Sequence, residues 1–147
     1  MQSQPKDWNE LIGDTFLNQD KKVGLETIQN VKNVGIYFSA SWCPPCHKFT
    51  PKLAEAYKEV NKTAKVLEIV FVSSDHKLDD YNEYRKIMPW IALPYESTEK
   101  KEFLSGYYKV EGIPTLVILN SNREIKCPDA YEDVGDNGAE GLRKHLL

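Results

Sequence analysis

The sequence predicts an α/β fold: a central mixed β-sheet flanked by helices, with an added β-hairpin at the N-terminus. Three observations carry this expectation. Val34–Phe38 and Glu68–Ser73 are largely apolar runs bounded by turn residues, the pattern of strands buried on both faces. Between them, apolar residues recur at helical spacing. Further on, Thr115–Leu119 is followed by a turn, a partner segment and a last helix, so the chain reads strand, helix, strand, helix, hairpin, helix.

Taken in order, Leu11–Phe16 and Val23–Ile28 are expected to form the N-terminal hairpin. Val34–Phe38 is the first buried strand. In the helix after Cys43, Phe49, Leu53, Ala56, Tyr57 and Val60 make the apolar face. Pro51 lies inside that helix and should kink it, setting off its first turn. Glu68–Ser73 is the second buried strand, and Leu78–Met88 a helix with Asp75 or Asp79 available as caps. Pro89 and Pro94 make the stretch between them a non-helical loop. Lys100–Tyr108 is a shorter helix. Thr115–Leu119 pairs through Asn120-Ser121-Asn122 with a strand around Glu124–Cys127, and Ala139–Leu147 closes the chain as a helix.

The chain has 147 residues, 41% hydrophobic and 28% charged, which suits one domain over residues 1–147 with a core of its own. The net charge of −3 and the scattered lysines give no surface for nucleic acid. No apolar stretch approaches the roughly 18 residues of a membrane span, and the polar Met1–Glu10 segment does not read as a leader or anchor. Three cysteines are too few for a secreted disulfide framework. The expected setting is therefore the cytoplasm, with the nucleus also open, and the expected working form is a monomer.

Trp42-Cys43-Pro44-Pro45-Cys46 follows the first buried strand and opens a helix. At a helix start, unpaired N–H groups and the helix dipole favour a thiolate, the form that attacks a disulfide. Cys43 is thus the candidate nucleophile, and Cys46, one turn in and more shielded, the resolving thiol. Pro44 and Pro45 fix two φ angles and remove two N–H donors, which stiffens the turn and should tune the redox potential. A zinc site or a merely packed pair competes with this reading. Zinc, however, calls for four ligands, and Cys127, His47, His76 and His145 are isolated in sequence. No metal and no bound cofactor are expected. Ile113-Pro114, ahead of an apolar strand, is a candidate cis peptide able to receive an extended substrate.

Several other residues invite functional readings, each with a plainer alternative. His47 could favour a thiolate but reads equally as a solvated helix side chain. Trp90 packs or borders the reactive face. Cys127 reads as an idle thiol on an edge strand, and Asp75 as a helix cap.

Ser39-Ala40-Ser41-Trp42-Cys43-Pro44-Pro45-Cys46, Phe71-Val72-Ser73-Ser74-Asp75, Met88-Pro89-Trp90-Ile91-Ala92-Leu93-Pro94-Tyr95 and Gly112-Ile113-Pro114-Thr115-Leu116 together resemble the tryparedoxin and nucleoredoxin branch of the thioredoxin superfamily. The resemblance covers roughly residues 20–135. It implies a thioredoxin fold, Cys43 as nucleophile, Cys46 as resolving thiol, Trp42 as a shield over the disulfide and Pro114 as the cis proline of the substrate groove beside Ile113. Where ordinary thioredoxins carry a buried carboxylate ahead of the motif, this chain has Tyr37. That leaves the proton acceptor for Cys46 without an assigned residue.

The function expected is a thiol–disulfide oxidoreductase reducing protein disulfides, such as those of peroxiredoxins. An upstream reductase or a low-molecular-weight dithiol would reset it. The alternative is a nucleoredoxin-like module whose disulfide state gates binding to a signalling partner.

Overall fold

The computed structural model describes residues 5–147, so the first four residues of the polar N-terminal segment lie outside it. Its elements are α1 (Trp8–Ile12), β1 (Phe16–Asn18), β2 (Lys21–Val23), β3 (Asn33–Ser39), α2 (Pro44–Val60), β4 (Leu67–Ser73) and α3 (Leu78–Arg85). They continue with β5 (Ile91–Ala92), α4 (Thr98–Tyr107), β6 (Thr115–Asn120), β7 (Ile125–Cys127) and α5 (Tyr131–Arg143). The strands form one mixed sheet in the order β2-β1-β5-β4-β3-β6-β7. β4 lies in the middle, and β3 beside it is parallel to β4 and antiparallel to β6.

Strand alternation sorts the core into two layers. Tyr37 of β3, Ile69 and Phe71 of β4, and Leu116 and Ile118 of β6 face one side, where they pack with Phe49 and Leu53 of α2 and Val134 and Leu142 of α5. Val34, Ile36 and Phe38, with Val70, Val72, Val117 and Leu119, face the other, against Leu11 and Ile12 of α1 and Leu104 of α4. Both faces are covered, which is why these runs carry no polar alternation.

The N-terminal hairpin is present but shifted. Leu11 and Ile12 belong to α1, which Asp7 caps through its carboxylate on the Glu10 N–H at 2.8 Å. The hairpin is the shorter β1–β2 pair, turned at Gln19-Asp20, with Leu25–Thr27 in a 3-10 turn. The Asp7 side chain offers the backbone a helix start that apolar periodicity does not reveal. The expected loop after Pro89 holds the two-residue strand β5, which joins β1 to β4. α2 continues as one element through Pro51. α3 ends at Arg85, three residues short of Met88. α5 starts at Tyr131, well before Ala139, and is interrupted at Gly138, whose φ of 57° is left-handed.

Candidate active site

The parallel strands β3 and β4 end level with each other, Ser39 opposite Ser73. The chain leaving β3 must cross from the sheet to α2 through Ala40-Ser41-Trp42, and the chain leaving β4 holds that crossing in place. The Ser74 N–H donates to the Ser39 carbonyl at 2.9 Å. The Ser41 N–H and hydroxyl donate to Asp75 Oδ1 at 2.7 and 2.5 Å, while the Ser73 hydroxyl donates to Asp75 Oδ2 at 2.8 Å. The Trp42 indole N–H donates to the Ser74 carbonyl at 3.0 Å. The His47 ring closes the clamp from α2 onto the Ser41 carbonyl. Asp75 is therefore not the cap of α3; Lys77 occupies that position, without a side-chain bond. Backbone and hydroxyl donors converging from the loop after β3 and from the end of β4 give its carboxylate stronger partners than a solvated helix end would.

Cys43 stands at the N-cap of α2, with Pro44 and Pro45 in the first helical positions. Its own N–H reaches the Ala40 carbonyl at 3.3 Å, and the His47 N–H makes the first helical bond back to the Cys43 carbonyl at 3.2 Å. Because the two prolines carry no N–H, Cys46 supplies the remaining unpaired donor of the first turn. Cys43 and Cys46 are unbridged thiols packed with Ala40 and Ile113. They differ in access: Cys43 is 4% exposed and Cys46 0%. Burial, together with a hydrogen bond to Cys43, pushes the Cys46 thiol up to about 11; the Ser39 hydroxyl and the Ala40 backbone act in the opposite direction.

The Ile113–Pro114 peptide is cis. The Cys43 Sγ donates to the Ile113 carbonyl at 3.8 Å, so the structure brings this segment against the cysteine pair. Trp42 is 52% exposed and stacks on His76, ring centroids 5.4 Å apart. Pro44 and Pro45 line an open groove of about 670 Å³ between α2 and α5, with Lys48, Phe49, Tyr131 and Glu132. Trp90 does not border this face. It is buried in the core, edge-on to Tyr37 and Tyr57. Cys127 closes β7, and burial raises its thiol.

Four residues lie directly behind the pair: Ser39, Thr50, Tyr84 and Tyr37, joined hydroxyl to hydroxyl and buried. Tyr37 stands out in the sequence by the resemblance; for the others the signal is a polar residue at the end of an apolar strand (Ser39) and another on the apolar side of a helix (Thr50).

A thiol at a helix start, a fully enclosed thiol one turn on and a cis proline against them are the arrangement of a thioredoxin-type dithiol pair. A family model described as Thioredoxin-like matches residues 30–125. The tryparedoxin of Trypanosoma brucei brucei is 46% identical over 107 residues, 73% of this chain and 73% of that protein. The nucleoredoxin of Danio rerio is 38% identical over 117 residues, 80% of this chain but 28% of that protein, so the chain spans little more than a quarter of its length. A tryparedoxin II solved complexed with glutathionylspermidine superposes with a TM-score of 0.77 at 34% identity, covering 84% of this chain and 86% of that one. The chain belongs to the thioredoxin-like family of thiol oxidoreductases, in its tryparedoxin and nucleoredoxin branch.

Proposed function

We propose that this chain, acting as a single domain, reduces disulfides in other proteins by dithiol exchange. The observation that carries the reading is the asymmetry of the pair: Cys43 on a helix start and still 4% exposed, Cys46 fully enclosed with its thiol raised. An accessible thiol attacks first, and a shielded one reacts only with the partner brought to it. The Cys43 thiolate attacks one sulfur of a substrate disulfide, whose S–S bond breaks as the other sulfur leaves as a thiolate, and a mixed disulfide forms. Cys46 then attacks the Cys43 sulfur, closing the internal disulfide and releasing the substrate as a thiol.

Trp42, Ile113 and Pro114 border the approach to Cys43 and receive the substrate backbone, while Pro44 and Pro45 set the donors around its sulfur. Peroxiredoxin-like disulfides are the substrate class. An upstream reductase or a low-molecular-weight dithiol resets the pair; the complex of a tryparedoxin with glutathionylspermidine supports access of a small thiol compound to such a fold. No helix among the described residues is long and apolar enough to cross a membrane; a cytoplasmic site of action is part of this proposal.

Catalytic reduction of insulin and of a peroxiredoxin disulfide tests it. Cys43→Ser abolishes turnover, and Cys46→Ser accumulates a covalent mixed disulfide. Full activity of Cys43→Ser would sink the mechanism. Stoichiometric capture of one partner without turnover would instead make the chain a redox-gated binding module.

A further inference from the structure

Cys46 must lose a proton before it can attack, yet it is fully enclosed. Among the described residues, Cys43, the Ser39 hydroxyl and the Ala40 backbone act on its thiol by hydrogen bonding, and the Tyr37 and Tyr84 phenols couple to it through charge. No carboxylate or imidazole is among them; the His47 ring packs on Tyr84, centroids 5.6 Å apart, with its Nε2 on the Ser41 carbonyl. Behind Ser39 runs a line of hydroxyls drawn from three elements. Ser39 Oγ at the end of β3 meets Tyr84 OH of α3 at 2.8 Å, Tyr84 OH meets Thr50 Oγ1 of α2 at 2.7 Å, and Thr50 Oγ1 meets Tyr37 OH of β3 at 2.7 Å. At each link either oxygen can be the donor.

Proton counting gives this line a property that one hydroxyl lacks. Four hydroxyls bring four protons and three links use three, so one proton is left over, and two of the four possible arrangements leave it at an end of the line. With every hydroxyl turned toward Tyr37, Ser39 is free to accept from the Cys46 thiol. With every hydroxyl turned toward Ser39, Ser39 donates to the Cys46 sulfur. The two directions match the thiol and the thiolate. Each bond polarises the next, and the apolar surroundings strengthen a bond to a charged sulfur. Burial holds the Tyr37 phenol far above its ordinary range, so the line works as a set of neutral dipoles rather than as a base.

We propose that the Ser39–Tyr84–Thr50–Tyr37 hydroxyl line is the device that lets Cys46 ionise, with Ser39 donating to the forming thiolate and the other three turning with it. It rests on the roles proposed above for Cys43 and Cys46. In the resolving step the Cys46–Cys43 bond forms and the Cys43–substrate sulfur bond breaks. The electron pair leaves with the substrate sulfur, and the proton shed by Cys46 ends on that sulfur, directly or through solvent. The hydroxyl line gains and loses no proton overall. Ser39 touches the reacting sulfur, whereas Tyr84, Thr50 and Tyr37 are positioning residues.

Rapid mixing of the reduced protein with a thionitrobenzoate disulfide tests this. A first thionitrobenzoate leaves when Cys43 attacks and a second when Cys46 resolves the adduct. If the wild-type protein gives no second release, or Cys46→Ser still gives one, the roles of the pair are wrong and the hydroxyl line falls with them. If the pair behaves as described, Ser39→Ala slows the second release about tenfold at neutral pH, the loss of one hydrogen bond to a charged group. It also moves the midpoint of the pH–rate profile upward and leaves the first release unchanged. Tyr84→Phe, which keeps the ring, moves the midpoint in the same direction by less. Thr50→Ser retains the wild-type profile and Thr50→Val does not. Wild-type midpoints in both Ser39→Ala and Tyr84→Phe would overturn the proposal. So would a slowing equal at every pH, because that is the mark of packing. Should Ser39→Ala not fold, Tyr84→Phe and the Thr50 pair decide.

Discussion

Asp75 is 6% exposed, and both of its carboxylate oxygens are taken by donors from the loop and strand ends around Cys43. Removing the carboxylate leaves the Ser41 N–H and two serine hydroxyls without their acceptor. Asp75→Ala is expected to cost about 1–3 kcal/mol, read as a lower denaturant midpoint with an unchanged slope. An unchanged midpoint would show that water replaces the clamp. Cys46 makes a second prediction at this scale. Its folded-state value of about 11 lies above the ordinary thiol value of 9.0. Below pH 9.0 folded and unfolded chains both hold the proton, and the contribution to stability is complete. Between 9.0 and about 11 the unfolded chain ionises first, so stability falls as pH rises. The reduced protein should therefore lose stability in this window relative to the disulfide form, which has no Cys46 proton to lose. Unfolding midpoints of both forms across that range check it, and parallel curves would refute it.

Among the elements, α5 depends most on particular glycines. Its path bends at Gly138, with a left-handed φ of 57°. The bend carries Gly141 so close to the Asp133 carbonyl that a Cβ there would lie inside its van der Waals shell. Gly141→Ala should be strongly destabilising, by several times the roughly 1 kcal/mol effect of an ordinary helix Gly/Ala exchange and in the opposite direction. A thermal midpoint at or above that of the wild type would show that the bend is not required. The same bend explains why the sequence places only the second half of this helix. Gly135, Gly138 and Gly141 dilute the helical pattern, and the tight contact that makes Gly141 necessary is with a residue eight positions back. α2 is legible throughout, because Phe49, Leu53, Ala56 and Tyr57 repeat on one face without interruption.

For the molecule as a whole, β3, β4 and β6 form a tightly packed centre with a helical layer on each face, while β1–β2 is a three-residue ribbon at one edge. Amide exchange should be slowest in Val34–Phe38, Ile69–Val72 and Leu116–Leu119, opening only with global unfolding, and fastest in Lys21–Val23. Uniform protection across the sheet would contradict that hierarchy. The fold class, the central strands, the long helix and the Cys43–Cys46 pair could be read from the sequence alone. Each is a local property: an apolar run, a helical repeat, or two thiols one turn apart. The true role of Asp75, the strand at Ile91–Ala92, the core position of Trp90 and the hydroxyls gathered behind Cys46 were decided by tertiary structure. A polar side chain is read by its partners, and those that Asp75 finds in Ser41 and Tyr84 in Ser39 and Thr50 lie 34 residues or more away in the chain. Only the parallel pairing of β3 with β4 and the packing of α2 and α3 against them bring those partners within hydrogen-bond reach.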